Sequence, residues 1–300
     1  MTYSKVYWYI AGISLLLLLL LFTTTQQTVT PVAQGAAFIA MATLGIFHGA
    51  NDLLIYRRST QQNVSALLFI LLYVLFACVI GVVVYLEPVL GINLFVLLSA
   101  FHFGEEHFSW WKEQKNVAFI LWCFFYGLSV FSLLFLTHLS TLEQFLEASD
   151  YAPGVLTWST FFMIPIVVVQ VVLGLAHLFL GKASLLQFLF LELSLVLLYF
   201  IFEQLDLFSS FAFYFVLWHS IPSIFSQIKV LGLSGWKGFI AYSKHAMPFY
   251  LTSIFGLFIL YYFMGIALLS LTTIVLLGAM TTIPHVILFA YLKVTVQPKN

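Results

Sequence analysis

An all-α, polytopic transmembrane helical bundle of about ten helices, with eight as the lower bound and both termini cytoplasmic, is the fold this sequence predicts. Three observations carry the prediction. Hydrophobic residues make up 63% of the 300-residue chain and charged residues only 7%, where a soluble domain carries about 25% charged. The apolar residues come in runs of about 20, the length that crosses a bilayer as a helix, and not in the short alternating segments of a β-barrel. Mean hydropathy is accordingly high, at +1.08. The third observation is that counting the runs as ten puts every basic residue on one side.

The runs fall at roughly 6–22, 35–56, 65–86, 89–108, 117–137, 158–180, 184–202, 208–225, 246–264 and 266–292. The first follows Lys5, but Thr23-Thr24-Thr25-Gln26-Gln27 behind it offers no small-residue cleavage site, so it reads as a spanning helix and not a signal peptide. The fourth is the least regular, and the last two could form one unit broken around Gly265. Lys and Arg accumulate on the cytoplasmic side of membrane proteins. With the N-terminus inside, the inner segments hold Lys5, Arg57, Arg58, Lys112, Lys115, Lys182, Lys229, Lys237, Lys244, Lys293 and Lys299. The outer ones hold Glu87, Glu143, Glu147, Asp150, Glu203 and Asp206, and no base. Neither the outer segment from His138 to Trp158 nor the inner one from Lys229 to Lys244, with Gly232, Gly235 and Gly238, is long enough for another domain. Residues 1–300 therefore read as a single transmembrane domain, multi-pass in the cell (inner) membrane. Zero net charge without a basic stripe excludes a nucleic-acid partner. Cys78 and Cys123 lie inside apolar runs, which argues against a disulfide framework.

Eight histidines remain to be explained. The inward-running helices carry His48, His102, His177, His219 and His285 in their cytoplasmic halves. Four of these precede the next basic residue by a similar interval, which at the helical rise puts them about 12 to 15 Å below the cytoplasmic charges; His177, five residues before Lys182, is shallower. Intramembrane ionisable groups are costly and mark functional sites. Imidazoles from separate helices at one depth, with carboxylates nearby, suit a transition metal such as iron, zinc or copper. On a regular helix Asp52 shares the face of His48, and Glu105 and Glu106 share that of His102. These carboxylates could orient the rings, act as acid or base, or ligate directly. His177 is expected to make a hydrogen-bonded helix contact, and His138 and His245, at loop edges, a solvated one. Glu192 reads as a protonated, hydrogen-bonded group or a proton relay.

At these residues the chain resembles the Brp/Blh family of membrane β-carotene 15,15'-dioxygenases, a likeness that rests on His48-Gly49-Ala50-Asn51-Asp52, His102-Phe103-Gly104, Trp218-His219-Ser220 and Pro284-His285. The resemblance implies non-haem Fe(II), O₂ as co-substrate, and cleavage of β-carotene drawn from the bilayer at its central double bond to retinal, which a rhodopsin downstream could use. It implies His48, His102 and His219 as metal ligands. A further family histidine, four residues after the one matching His219, is replaced here by Ser223, so His107 or His285 becomes the candidate fourth ligand. A five-residue offset on a regular helix turns His107 away from His102 by about 140°. The substrate-binding residues are not legible. Two other functions fit the composition: a carotenoid-modifying or carotenoid-binding membrane protein that does not cleave, for which Ser223 speaks, and a secondary or metal transporter with intramembrane histidines. A transport path should place polar groups across the membrane, whereas here they gather at one depth.

Overall fold

In a computed structural model the chain is helical throughout residues 3–24, 26–108, 116–147, 154–265 and 271–295, which are the residues the structure describes, apart from short turns. Lys112, Lys115, Asp150 and Lys299 of the charge pattern lie outside them. The α-helices are α1 (Tyr3–Phe22), α2 (Gln26–Ala40), α3 (Ile46–Gly49), α4 (Asp52–Thr60), α5 (Ala66–Leu86), α6 (Pro88–His107), α7 (Val117–Leu136), α8 (Leu139–Glu147), α9 (Gly154–Phe179), α10 (Leu185–Phe202), α11 (Leu207–Phe213), α12 (Ile221–Val230), α13 (Gly235–Met264) and α14 (Leu271–Thr295). A π-helical segment, Met41–Gly45, joins α2 to α3, and another, Tyr214–Ser220, joins α11 to α12.

Each of the ten apolar runs contains helix, as a chain in hydrocarbon must satisfy its backbone internally. Among the described residues nine helical stretches are long and apolar enough to cross a membrane, and a further apolar stretch, Leu276–Leu292, is shorter. Their exposed side chains, such as Leu16, Leu71, Val82 and Phe255, are those a lipid-facing surface needs. The chain is thus a multi-pass membrane protein. Polar breaks between runs supply the caps: Asn116 accepts from the Phe119 N–H, Ser184 and Gln187 form a capping box, and Asp206 accepts from Phe208 and Ser209.

Two boundaries differ from the sequence reading. The inner segment expected between Lys229 and Lys244 is helical from Gly235 onward, so Lys237 and Lys244 sit exposed on the first turns of α13. Gly232 and Gly235 do make the turn, with φ of 71° and 62°, but Gly238 donates to Ser234 O inside the new helix. The outer segment beginning at His138 contains the short helix α8.

The chain divides into two compact units, residues 1–41 with 100–222, and residues 42–99 with 223–300. In the first unit α7 packs on α9 and α10, α11 on α2, and α1 on α10. The α6–α7 approach there is backbone to backbone: a Cβ at Gly104 would overlap the Cys123 carbonyl, and one at Gly127 the Ala100 carbonyl. Small residues at such a crossing let membrane helices meet closely. The first helix belongs to this unit, through Tyr7 donating to Glu106 O at 2.6 Å and Ser14 accepting from Trp218 Nε1 at 3.1 Å. In the second unit α14 packs on α5 and α4, and α13 on α3. Neither Cys78 nor Cys123 is in a disulfide.

Candidate active site

In the second unit the run read as one regular helix is interrupted on both sides of His48. The Met41–Gly45 segment is π-helical, and α3 ends in a turn at Ala50-Asn51 before α4 starts at Asp52. Such departures re-aim side chains and recur at functional sites. Because of them Asp52 does not serve His48. The Nδ1–H of His48 donates to the Gly45 carbonyl, whereas Asp52 takes the Nδ1–H of His285, on α14, at 2.9 Å. The Oδ2 of the same carboxylate also accepts from Tyr73, on α5, at 3.1 Å. The rings of His48 and His285 lie 4.9 Å apart at 75°. Carbonyl and carboxylate oxygens can only accept, so in the neutral rings each proton is on Nδ1 and each lone pair on Nε2. A polar chain braces this pair: Asn51 donates to Tyr242 O, Tyr242 donates to Gln227 Oε1 at 2.7 Å and approaches the His48 carbonyl, and Gln227 donates to Ser223 Oγ. Ser223, where the resemblance implies a histidine, is buried in that chain.

The first unit holds a second pair. His102 on α6 and His219 in the Tyr214–Ser220 segment have ring centroids 4.9 Å apart at 69°. The segment is π-helical because Pro222 has no N–H to give, and the Ile221 N–H reaches back five residues to Val216. Phe103 lies 4.4 Å from the His219 ring and Phe215 stacks on it at 5.4 Å. All four paired histidines are buried, between 1% and 7% exposed.

The other polar residues have different surroundings. His107 is boxed by Tyr7, Tyr126, Tyr214 and Trp218, stacked on the last two, with its Nε2 at 3.1 Å from the Tyr214 hydroxyl. Glu106 is buried and Glu105 half-buried, both in the first unit with His102. His177 donates to Leu173 O of its own helix and stacks on Trp122 of α7, so its helix contact is made by the ring face. His138, expected to be solvated, is buried, with Nε2 at 2.9 Å from Leu205 O and Nδ1 at 2.8 Å from Leu134 O; it ties the end of α7 to the turn before α11. His245 is exposed. Glu192 accepts from Gln170 Nε2 at 2.9 Å, joining α10 to α9. Tyr73 is the residue that sequence reasoning missed, and its only signal is a hydroxyl in the middle of an apolar run that carries one other, Tyr85, near its end.

Buried neutral imidazoles with their protons committed to acceptors are suitable donors for a divalent transition metal. Among the described residues, no group of three or more His, Cys, Asp or Glu side chains is gathered as a metal site; the rings come as pairs within each unit. The family model for β-carotene 15,15'-dioxygenase matches residues 39–293. The chain belongs to that family. The matched segment contains both histidine pairs, Asp52 and Tyr73, and leaves out all of α1 and all but the last two residues of α2. No curated protein and no solved structure was found to match. A β-carotene 15,15'-dioxygenase joins O₂ to the central double bond of the polyene and releases retinal. A bundle of apolar helices is the setting in which so lipophilic a substrate would be met.

Proposed function

We propose that this member of the β-carotene 15,15'-dioxygenase family uses non-haem Fe(II), and that His48, His102 and His219 supply imidazole ligands to it. The observation that carries the reading is the pairing of buried imidazoles within each unit, each pair containing a ring set by a π-helical segment. When bound, iron would supply the site at which O₂ becomes reactive toward an alkene. The residues around it have narrower tasks. Adding both atoms of O₂ across one C=C bond neither gains nor loses a proton, so Asp52, Glu105 and Glu106 are not required as acid or base. Asp52 orients a ring instead. Phe103 and Phe215 keep water from the His102–His219 pair, and the aromatic walls of the helices offer π-faces to a polyene that has no polar handle. We further propose that the carotenoid enters from the bilayer of the inner membrane, that both termini are cytoplasmic, and that released retinal is available to a rhodopsin.

Expression in β-carotene-producing cells tests this. The chain should bleach the pigment and accumulate retinal, and His48→Ala should abolish both. Bleaching by a metal-free preparation would reject the iron.

A further inference from the structure

The charges of this chain are segregated between its two units. The second unit, residues 42–99 and 223–300, holds seven of the eleven basic residues and two of the eleven acids, Asp52 and Glu87. From Leu207 to Asn300 the sequence has five lysines and neither Asp nor Glu. Packing gathers these positions. One hydrophobic cluster joins Ile55 of α4, Ile228 of α12, Tyr242 of α13 and Leu292 of α14, and each stands within two residues of a base, Arg57, Lys229, Lys244 and Lys293 respectively. Arg58, Lys237 and Lys244 are exposed, and no carboxylate among the described residues pairs with them.

The first turns of α13 set an apolar surface beside the cations. Trp236, Phe239, Ile240, Ser243, Lys244 and Met247 line a shallow open groove there, and Trp236 is 73% exposed. Lys237 and Lys244, seven residues apart, share one side of the helix next to that stripe. With 30 residues, α13 is about 45 Å long and outspans a hydrocarbon core of about 30 Å even when tilted by about 40°. Its apolar run begins only at Ala246, so the preceding turns lie at headgroup level, where Trp and Lys anchor membrane helices. An acidic protein would meet the cations and leave the groove unused, whereas an anionic amphiphile uses both.

We propose that the second unit binds an anionic phospholipid at the start of α13, with its phosphate between Lys237 and Lys244 and an acyl chain along Trp236, Ile240 and Met247. With the termini cytoplasmic as proposed above, the leaflet at this end is the anionic one, which attracts clustered Lys and Arg. Nothing in this binding depends on iron. The test uses the full chain purified in detergent, with phosphatidylglycerol or phosphatidylcholine brominated on the acyl chains to quench tryptophan emission on contact. Phosphatidylglycerol should quench at lower concentration than phosphatidylcholine, and Trp236→Phe should remove that component. Lys237→Gln combined with Lys244→Gln should weaken phosphatidylglycerol binding about 30-fold and leave phosphatidylcholine unchanged, while Lys237→Arg with Lys244→Arg should keep the preference. Glycerol phosphate, a headgroup without chains, should compete poorly. Equal quenching by the two lipids in the wild-type chain overturns the proposal, as does an unchanged preference in the double glutamine variant. Glycerol phosphate or polyglutamate binding as tightly as the lipid would assign the patch to a free phosphate or an acidic protein, and overturns it equally.

Discussion

The two histidine pairs have the same ring separation and are built in different ways. In the second unit hydrogen bonds set the rings: Gly45 O holds His48, and Asp52, backed by Tyr73, holds His285. In the first unit packing dominates the surroundings: Phe103 and Phe215 lie against His219, and the Gly104–Gly127 crossing brings α6 directly onto α7 beside His102. A ring held by a charged acceptor keeps its tautomer as well as its direction. A ring held by aromatic walls keeps its direction and a dry environment.

Substitutions can break this comparison or sharpen it. The largest effect is expected from removing a ring of either pair. His48→Ala and His219→Ala should each lower retinal formation by at least about 100-fold, beyond the usual loss from an outer partner, as read by chromatography of pigment extracts. Retention of activity in one of them would mean the pairs are not equivalent. Next is Gly104→Ala, whose Cβ would fall on the rigid Cys123 carbonyl. Overpacking of this kind costs about 1–3 kcal/mol, so the unfolding midpoint in detergent should drop. His107→Phe keeps the stack with Tyr214 and Trp218 and loses the contact to the Tyr214 hydroxyl, worth about 1 kcal/mol. Its iron content should be unchanged. The smallest effect is expected at Gly49→Ala, whose Cβ meets only His285 Nδ1 at ordinary contact distance. Stability there should change by less than about 1 kcal/mol, with helix propensity favouring alanine.

The spans were legible because hydropathy acts residue by residue, and every apolar run does contain helix. The histidines stood out for the same reason, as polar exceptions in apolar runs. Their partners were not legible. Reading Asp52 beside His48 assumes an unbroken helix, and the π-helical turn at Met41–Gly45 with the break at Ala50-Asn51 removes that assumption. No periodicity announces a π-helical segment, although Pro222 marks one in retrospect. The bond between Asp52 and His285 is a tertiary fact that local spacing cannot contain. His138 reads as a loop residue from its place after α7, yet two backbone carbonyls fold over it. Gly232, Gly235 and Gly238 look alike in sequence, and only the first two make a turn with positive φ.

The most direct test of the account measures iron and turnover together in one purified sample. The account predicts about one iron per chain, loss of retinal formation when a chelator strips it, and recovery with Fe(II) but not Zn(II). Undiminished cleavage of β-carotene by the stripped protein would contradict it.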